Sequence, residues 1–160
     1  MSISSTIKSI QDIMRKDVGV DGDAQRIGQL TWMLFLKIFD DSEQELELLN
    51  DRFRSPIPEP LRWRNWAAPE DGITGDGLLD FVNNELFRKL KDLPADAAHN
   101  PRGVIVRRVF EDAYNYMKNG TLLRQVINKL NEIDLNRKSD RHEIGGIYEQ
   151  LLSDLRGRSE

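Results

Sequence analysis

The chain contains no cysteine, which removes disulfides, thiolate nucleophiles and thiolate metal sites from consideration. Histidine is almost as scarce, with two in 160 residues. His99 falls in a predicted loop and His142 in the first turn of a predicted helix. Neither has a second histidine or a carboxylate at zinc-ligand spacing. No Pro-Pro pair occurs, no serine stands in a nucleophile elbow, and no glycine loop follows a strand pattern. The run from Gly72 to Gly77 follows a proline-rich stretch, not a strand, so it makes a poor phosphate cradle. Long apolar runs are missing too. A membrane span needs about 20 apolar residues, but Trp32–Phe39 is interrupted by Lys37 and closed by Asp40 and Asp41. The opening stretch, Met1–Met14, is amphipathic and lacks the continuous apolar core of a secretory signal. An autonomous enzyme, a disulfide scaffold and a membrane protein are all disfavoured, and a cytoplasmic location is expected.

What is present fits one globular domain. Hydrophobic residues make up 39% and charged residues 31% of the chain, and a domain of this length buries roughly 68–70% of its unfolded surface. The net charge of −4 argues against coating nucleic acid through bulk charge, although local basic patches remain available.

The chain is organised around Ala24–Asp41. Ile27, Leu30, Leu34 and Ile38 recur at helical spacing on one face, and Trp32, Phe35, Leu36 and Phe39 fill the opposite side. A helix apolar nearly all round is enclosed by others, so this stretch is read as the central post of a bundle. Asp21 or Asp23 is its expected N-cap. Gly28 is expected where another helix crosses closely. The helix should continue through the acidic segment Asp40–Glu47, read as a solvated helix end, with Leu46, Leu49 and Phe53 keeping the apolar spacing.

Around it, Ile3, Ile7, Ile10, Ile13 and Met14 predict a first helix. Pro56, Pro58, Pro60 and Pro69 with Gly72, Gly75 and Gly77 predict a long irregular loop. Trp63 and Trp66 should pack back onto the bundle to order it; base stacking beside Arg62 and Arg64 is the less favoured alternative. A third helix begins near Asp76, with Leu78, Leu79, Val82, Leu86, Phe87 and Leu90 inward. Asn100-Pro101 starts a fourth, running to a glycine stop at Gly120 with Val106, Val109, Phe110, Ala113 and Met117 inward. Thr121 opens a fifth, with Leu122, Leu123, Val126, Ile127 and Leu130 inward. Asp140 and Glu143 form a capping box for a sixth, with Ile144, Ile147, Tyr148, Leu151, Leu152 and Leu155 on its stripe. The expected fold is all-α: a bundle of about six helices with a long Pro/Trp-containing loop between the second and third.

Two segments carry a resemblance. Leu30–Asp41, LTWMLFLKIFDD, and Gly145–Leu155, GGIYEQLLSDL, with Asn128–Leu135, NKLNEIDL, between them, resemble the N-terminal helical domain of the modification (methylation) subunit of type I restriction-modification enzymes. The likeness covers nearly the whole chain. It implies a parent subunit that transfers a methyl group from S-adenosylmethionine to adenine N6 in DNA, alongside a specificity subunit and a restriction subunit. In that family the catalysis belongs to a Rossmann-like domain with a glycine-containing cofactor loop and an Asn/Asp-Pro-Pro-aromatic motif. Neither is present here, since Asn100-Pro101 is followed by Arg102.

Residues 1–160 are therefore expected to form a single non-catalytic N-terminal domain of a longer methyltransferase. Its expected role is to help assemble the complex and close it around duplex DNA. The alternative is a helical protein–protein adaptor without DNA contact. No catalytic, cofactor or metal residue is assigned. The candidate DNA or partner contacts are Arg102, Arg107, Arg108 and Lys118, followed by Lys8, Arg15 and Lys16.

Overall fold

Apolar residues at three- and four-residue spacing make Asp23–Leu49 one unbroken helix of 27 residues, α2, about 40 Å long at 1.5 Å per residue. The computed structural model describes residues 3–133, and every regular element among them is helical. Helix α1 (Ile3–Met14) precedes α2. A 3₁₀ turn (Glu59–Leu61) and the single-turn α3 (Trp63–Trp66) interrupt the proline-rich connection. Helix α4 (Gly75–Phe81), a π turn (Val82–Leu86) and α5 (Phe87–Lys91) run on as one rod. Helices α6 (Pro101–Asp112) and α7 (Gly120–Leu130) follow. The predicted sixth helix, with its capping box, the Gly145–Leu155 motif and His142, lies outside the described residues.

The core forms where the apolar stripes meet. Trp32 of α2 is enclosed, its ring meeting Phe87 of α5 edge-on at 4.9 Å between centroids and Phe110 of α6 at 6.2 Å. Leu78, Val82, Leu86 and Leu90 come in from the α4–α5 rod, and Leu123, Val126, Ile127 and Leu130 from α7. Ile7, Ile10 and Met14 bury the stripe of α1, which packs on α7. Trp63 and Trp66 are buried, as expected, and their indole nitrogens donate to Asn131 Oδ1 at 2.8 Å and to the Leu61 carbonyl at 2.9 Å.

Five local expectations are corrected. The N-cap of α2 is Gly22, at φ 93°, and no side chain caps the helix there; Asp23 instead pairs with Arg26. Ile38 and Leu49 are exposed, at 38% and 85%, because the C-terminal half of α2 has neighbours on fewer sides. No helix crosses at Gly28, whose nearest outside neighbour is the Tyr116 ring, 3.4 Å from where a Cβ would stand. Helix α6 stops at Asp112, and 113–119 run without helix into α7.

The fifth concerns Gly120, which opens α7 and does not end α6. Asn119 is the N-cap, its side chain accepting from Leu122 N at 2.9 Å. A Cβ on Gly120 would overlap the Gly75 carbonyl. Glycine is required here because the first turns of α4 and α7 touch through their backbones.

Candidate functional site

Asn100 starts α6 by accepting from Gly103 N at 3.1 Å, with Pro101 in the first turn. That start places Arg102 against α2. Its guanidinium lies 4.4 Å from the centre of the Phe39 ring and 5.8 Å from that of Phe53, and its Nη2 donates to Ser42 Oγ at 3.3 Å. One turn on, Arg107 donates to the carbonyls of Leu93 and Ala95, at 3.0 and 2.8 Å, and faces Glu111 at 3.7 Å. Both arginines join α6 to its neighbours. Arg108 is exposed and makes no ion pair among the described residues.

The remaining candidates gather elsewhere. The buried Asp17 carboxylate accepts from the backbone nitrogens of Gly19, Lys118 and Asn119, which brings Lys118 beside the turn that ends α1. The Lys118 ammonium stands 5.7 Å from the Tyr114 ring centre. Lys8 and Lys16 are exposed, and the exposed Arg15 pairs with Asp12 at 2.9 Å. The predicted basic set is thus divided between α6 and the C-terminal end of α1.

The acidic end of α2 is not the solvated segment its composition suggests. Asp40 and Glu43 are 3% and 0% exposed. Arg64, carried by α3, donates to Asp40 at 2.9 Å and to Glu47 at 2.9 Å. Ser55 donates to Glu43 Oε1 at 2.7 Å, and Arg102 Nε faces Oε2 at 3.8 Å. Burial pushes the Glu43 carboxyl above its ordinary value; the Ser55 hydroxyl and the Arg102 charge pull it down, and Asp40 pushes it up again. These ions tie the proline-rich connection to α2.

Arg124 of α7, which the sequence reading passed over, does the same at the far end of that connection. Its buried guanidinium donates to the carbonyls of Trp66, Ala67, Pro69 and Ile73, and to the Asn128 side chain. Burial lowers its pKa, opposed by Asp71. A third polar line runs through the core: Gln29 donates to Asn115 at 2.9 Å and accepts from Tyr116 N at 2.8 Å, and Asn115 donates to Asn83 in the π turn at 3.0 Å. Polar residues with partners this far along the chain leave no local signal in sequence.

His99 sits on the surface against Asp96 at 2.9 Å. Among the described residues no three His, Cys, Asp or Glu side chains are placed to hold a metal, and no helix is long and apolar enough to cross a membrane. In the glycine run before α4, the Arg124 guanidinium lies against Gly72 and the Gly75 backbone packs on Gly120, while the Cβ positions of Gly75 and Gly77 are open. Base stacking on Trp63 or Trp66 is ruled out by their burial.

The comparisons decide the relationship. Residues 3–130 match the family model of the HsdM N-terminal domain. The chain belongs to that family. The type I restriction enzyme EcoEI methylase subunit of Escherichia coli is 66% identical over 155 residues, which are 97% of this chain and 32% of that subunit. A modification subunit of a putative type I restriction enzyme from Vibrio vulnificus YJ016 superposes with a TM-score of 0.84 at 38% identity, over 96% of this chain and 35% of that one. A protein from a structure of complex assembly and conformational transition in the type I restriction-modification system gives 0.78 at 30% identity, over 96% and 30%. This HsdM N-terminal domain therefore spans about a third of the length of the relatives it matches, and it is all-helical over its described residues, as the resemblance implied.

Proposed function

We propose that the chain is the non-catalytic N-terminal domain of a longer type I methylase subunit, in which it helps the enzyme assemble and close around duplex DNA. The observation that carries this is the 66% identity to a methylase subunit along 97% of the chain but only 32% of that subunit. The residues present do not fit S-adenosylmethionine: they offer neither the cofactor loop nor a Pro-Pro-aromatic motif, and the Arg124 guanidinium lies against Gly72 in the glycine run. Cofactor binding and methyl transfer to adenine N6 are assigned to the remainder of the subunit. An adenine must leave the base stack to be methylated, at a cost of a few kcal/mol, and enclosure of the duplex stabilises that distorted state. The proposed partners are duplex DNA, a specificity subunit and a restriction subunit.

A protein-docking role without DNA contact has one observation in its favour: Leu48 and Leu49, adjacent at the end of α2, are 86% and 85% exposed. One experiment separates the two readings. The longer subunit is prepared with and without residues 1–160, and both assembly with a specificity subunit and protection of DNA are measured. Loss of DNA protection with assembly intact supports enclosure of DNA. Loss of assembly alone supports docking, and no change in either defeats both.

A further inference from the structure

Most cations among the described residues are already engaged. Arg102 and Arg107 hold α6 in place, Arg64 and Arg124 fasten the proline-rich connection, and Lys37 and Lys89 pair within their own helices with Asp41 and Glu85. On the α5–α6 pair, three exposed cations have no hydrogen bond or ion pair among the described residues: Arg88, Lys91 and Arg108. Arg88 and Lys91 are three positions apart on α5, which puts them on one face. Helix α6 lies directly alongside, with Phe110 meeting Phe87 edge-on at 5.0 Å. Arg107 points at the carbonyls that follow α5, and Arg108 comes about 100° further round the helix, on the outward side.

A hollow of about 320 Å³ opens on this face, lined by Asn83, Phe87, Arg88, Lys91 and Asp92. The π turn at Val82–Leu86 lies beneath it, and such turns occur frequently at functional sites. Asn83 uses its carbonyl oxygen to accept from Asn115, so its amide nitrogen is free to donate. Phe87 is buried and offers the hollow little apolar surface. The rim therefore presents two cations and an amide donor beside a single carboxylate, Asp92. Donors of this kind suit the oxygens of a phosphodiester. A bound anion would offset the like-charge repulsion between Arg88 and Lys91, which share a face at i,i+3 spacing.

We propose that the Asn83–Arg88–Lys91 hollow, together with exposed Arg108 on the adjoining helix α6, is a phosphate-backbone contact for duplex DNA, reading no base sequence. The proposal rests on the enclosing role proposed above and names the surface that performs it. The test uses the full chain, alone and within the methylase assembly. Affinity for a duplex of arbitrary sequence is measured over a salt series for the parent, for R88A/K91A/R108A and for Asp92→Asn. Each lost phosphate contact should flatten the slope of log affinity against log salt by about 0.9. The triple variant should therefore lose about 2–3 units of slope while melting like the parent, and Asp92→Asn should bind more tightly. The charge-keeping pair Arg88→Lys and Arg108→Lys should retain the parent slope.

An unchanged slope in the triple variant, with the parent binding DNA, overturns this surface and leaves the enclosing role standing. Impaired subunit assembly with an unchanged slope overturns it in favour of an acidic protein partner. Removal of the whole domain that leaves the DNA affinity of the assembly untouched overturns both proposals.

Discussion

Arg124 donates to the carbonyl of Trp66 at 3.1 Å across 58 positions of sequence, and that contact fixes where the proline-rich connection ends. The same guanidinium serves three further carbonyls of the connection. An unmet buried polar group costs about 1–3 kcal/mol, so Arg124→Met should destabilise the domain by at least about 3 kcal/mol. Lysine lacks the planar fork of donors, and Arg124→Lys should recover less than half of the loss. Urea denaturation measures both, and limited proteolysis should show new cleavage within 67–74.

Trp32 gives a second prediction. Trp32→Ala removes the ring that packs against both Phe87 and Phe110, and should cost about 3–5 kcal/mol, as large-to-small core changes do. The buried indole nitrogen has no hydrogen-bond partner. Trp32→Phe therefore gives up no hydrogen bond and should cost clearly less than the alanine change. Equal losses by thermal melting would show that the indole nitrogen is satisfied in solution.

Glu43 makes stability depend on pH. Its carboxyl lies above the ordinary value in the folded chain, so the folded state binds this proton more tightly than the unfolded one. The resulting stabilisation is fully present below the ordinary carboxylate value and is lost as pH rises through the elevated one. Comparing Glu43→Gln with the parent from mildly acidic to neutral pH should show a flatter profile for the variant. Parallel profiles would mean that Glu43 titrates normally.

Two glycines in equally helical surroundings should respond in opposite directions. Gly28→Ala replaces a costly mid-helix glycine and meets only the edge of the Tyr116 ring, so it should stabilise by up to about 1 kcal/mol. Gly120→Ala drives a methyl into the Gly75 backbone and should cost about 1–3 kcal/mol, as overpacking does. Melting temperatures of the two variants settle the pair.

The contrast between those glycines shows how far sequence reading carries. Period alone revealed α2, the α4–α5 rod and α7, because Leu30, Leu34, Val82, Leu86, Val126 and Leu130 repeat with the helix and are all buried. It failed after Asp112. Ala113 and Met117 continue the spacing, yet the chain leaves the helix so that Asn115 and Tyr116 can meet Gln29, 86 and 87 positions away. Asn119-Gly120 reads equally as a stop or a cap until Gly75 is seen against it. Of the candidate contacts, basic composition located the cations, but it could not tell the bound from the unbound. Arg102 finds Phe39 and Glu43 only in three dimensions, and Arg88 and Lys91 stand out only once the others are engaged.

The Asp17 carboxylate, gripping the backbone of Lys118 and Asn119 from 101 and 102 positions away, also sets a timetable. Helix α1 packs chiefly on α7, so the first helix lacks its main neighbour until the last described one has been made. At roughly 5–20 residues per second, a ribosome takes about 6–23 seconds to travel from Met14 to Leu130. Throughout that interval the apolar stripe of Ile7, Ile10 and Met14 lacks the α7 surface that covers it, and whatever shields apolar surface in the cell has that long to act.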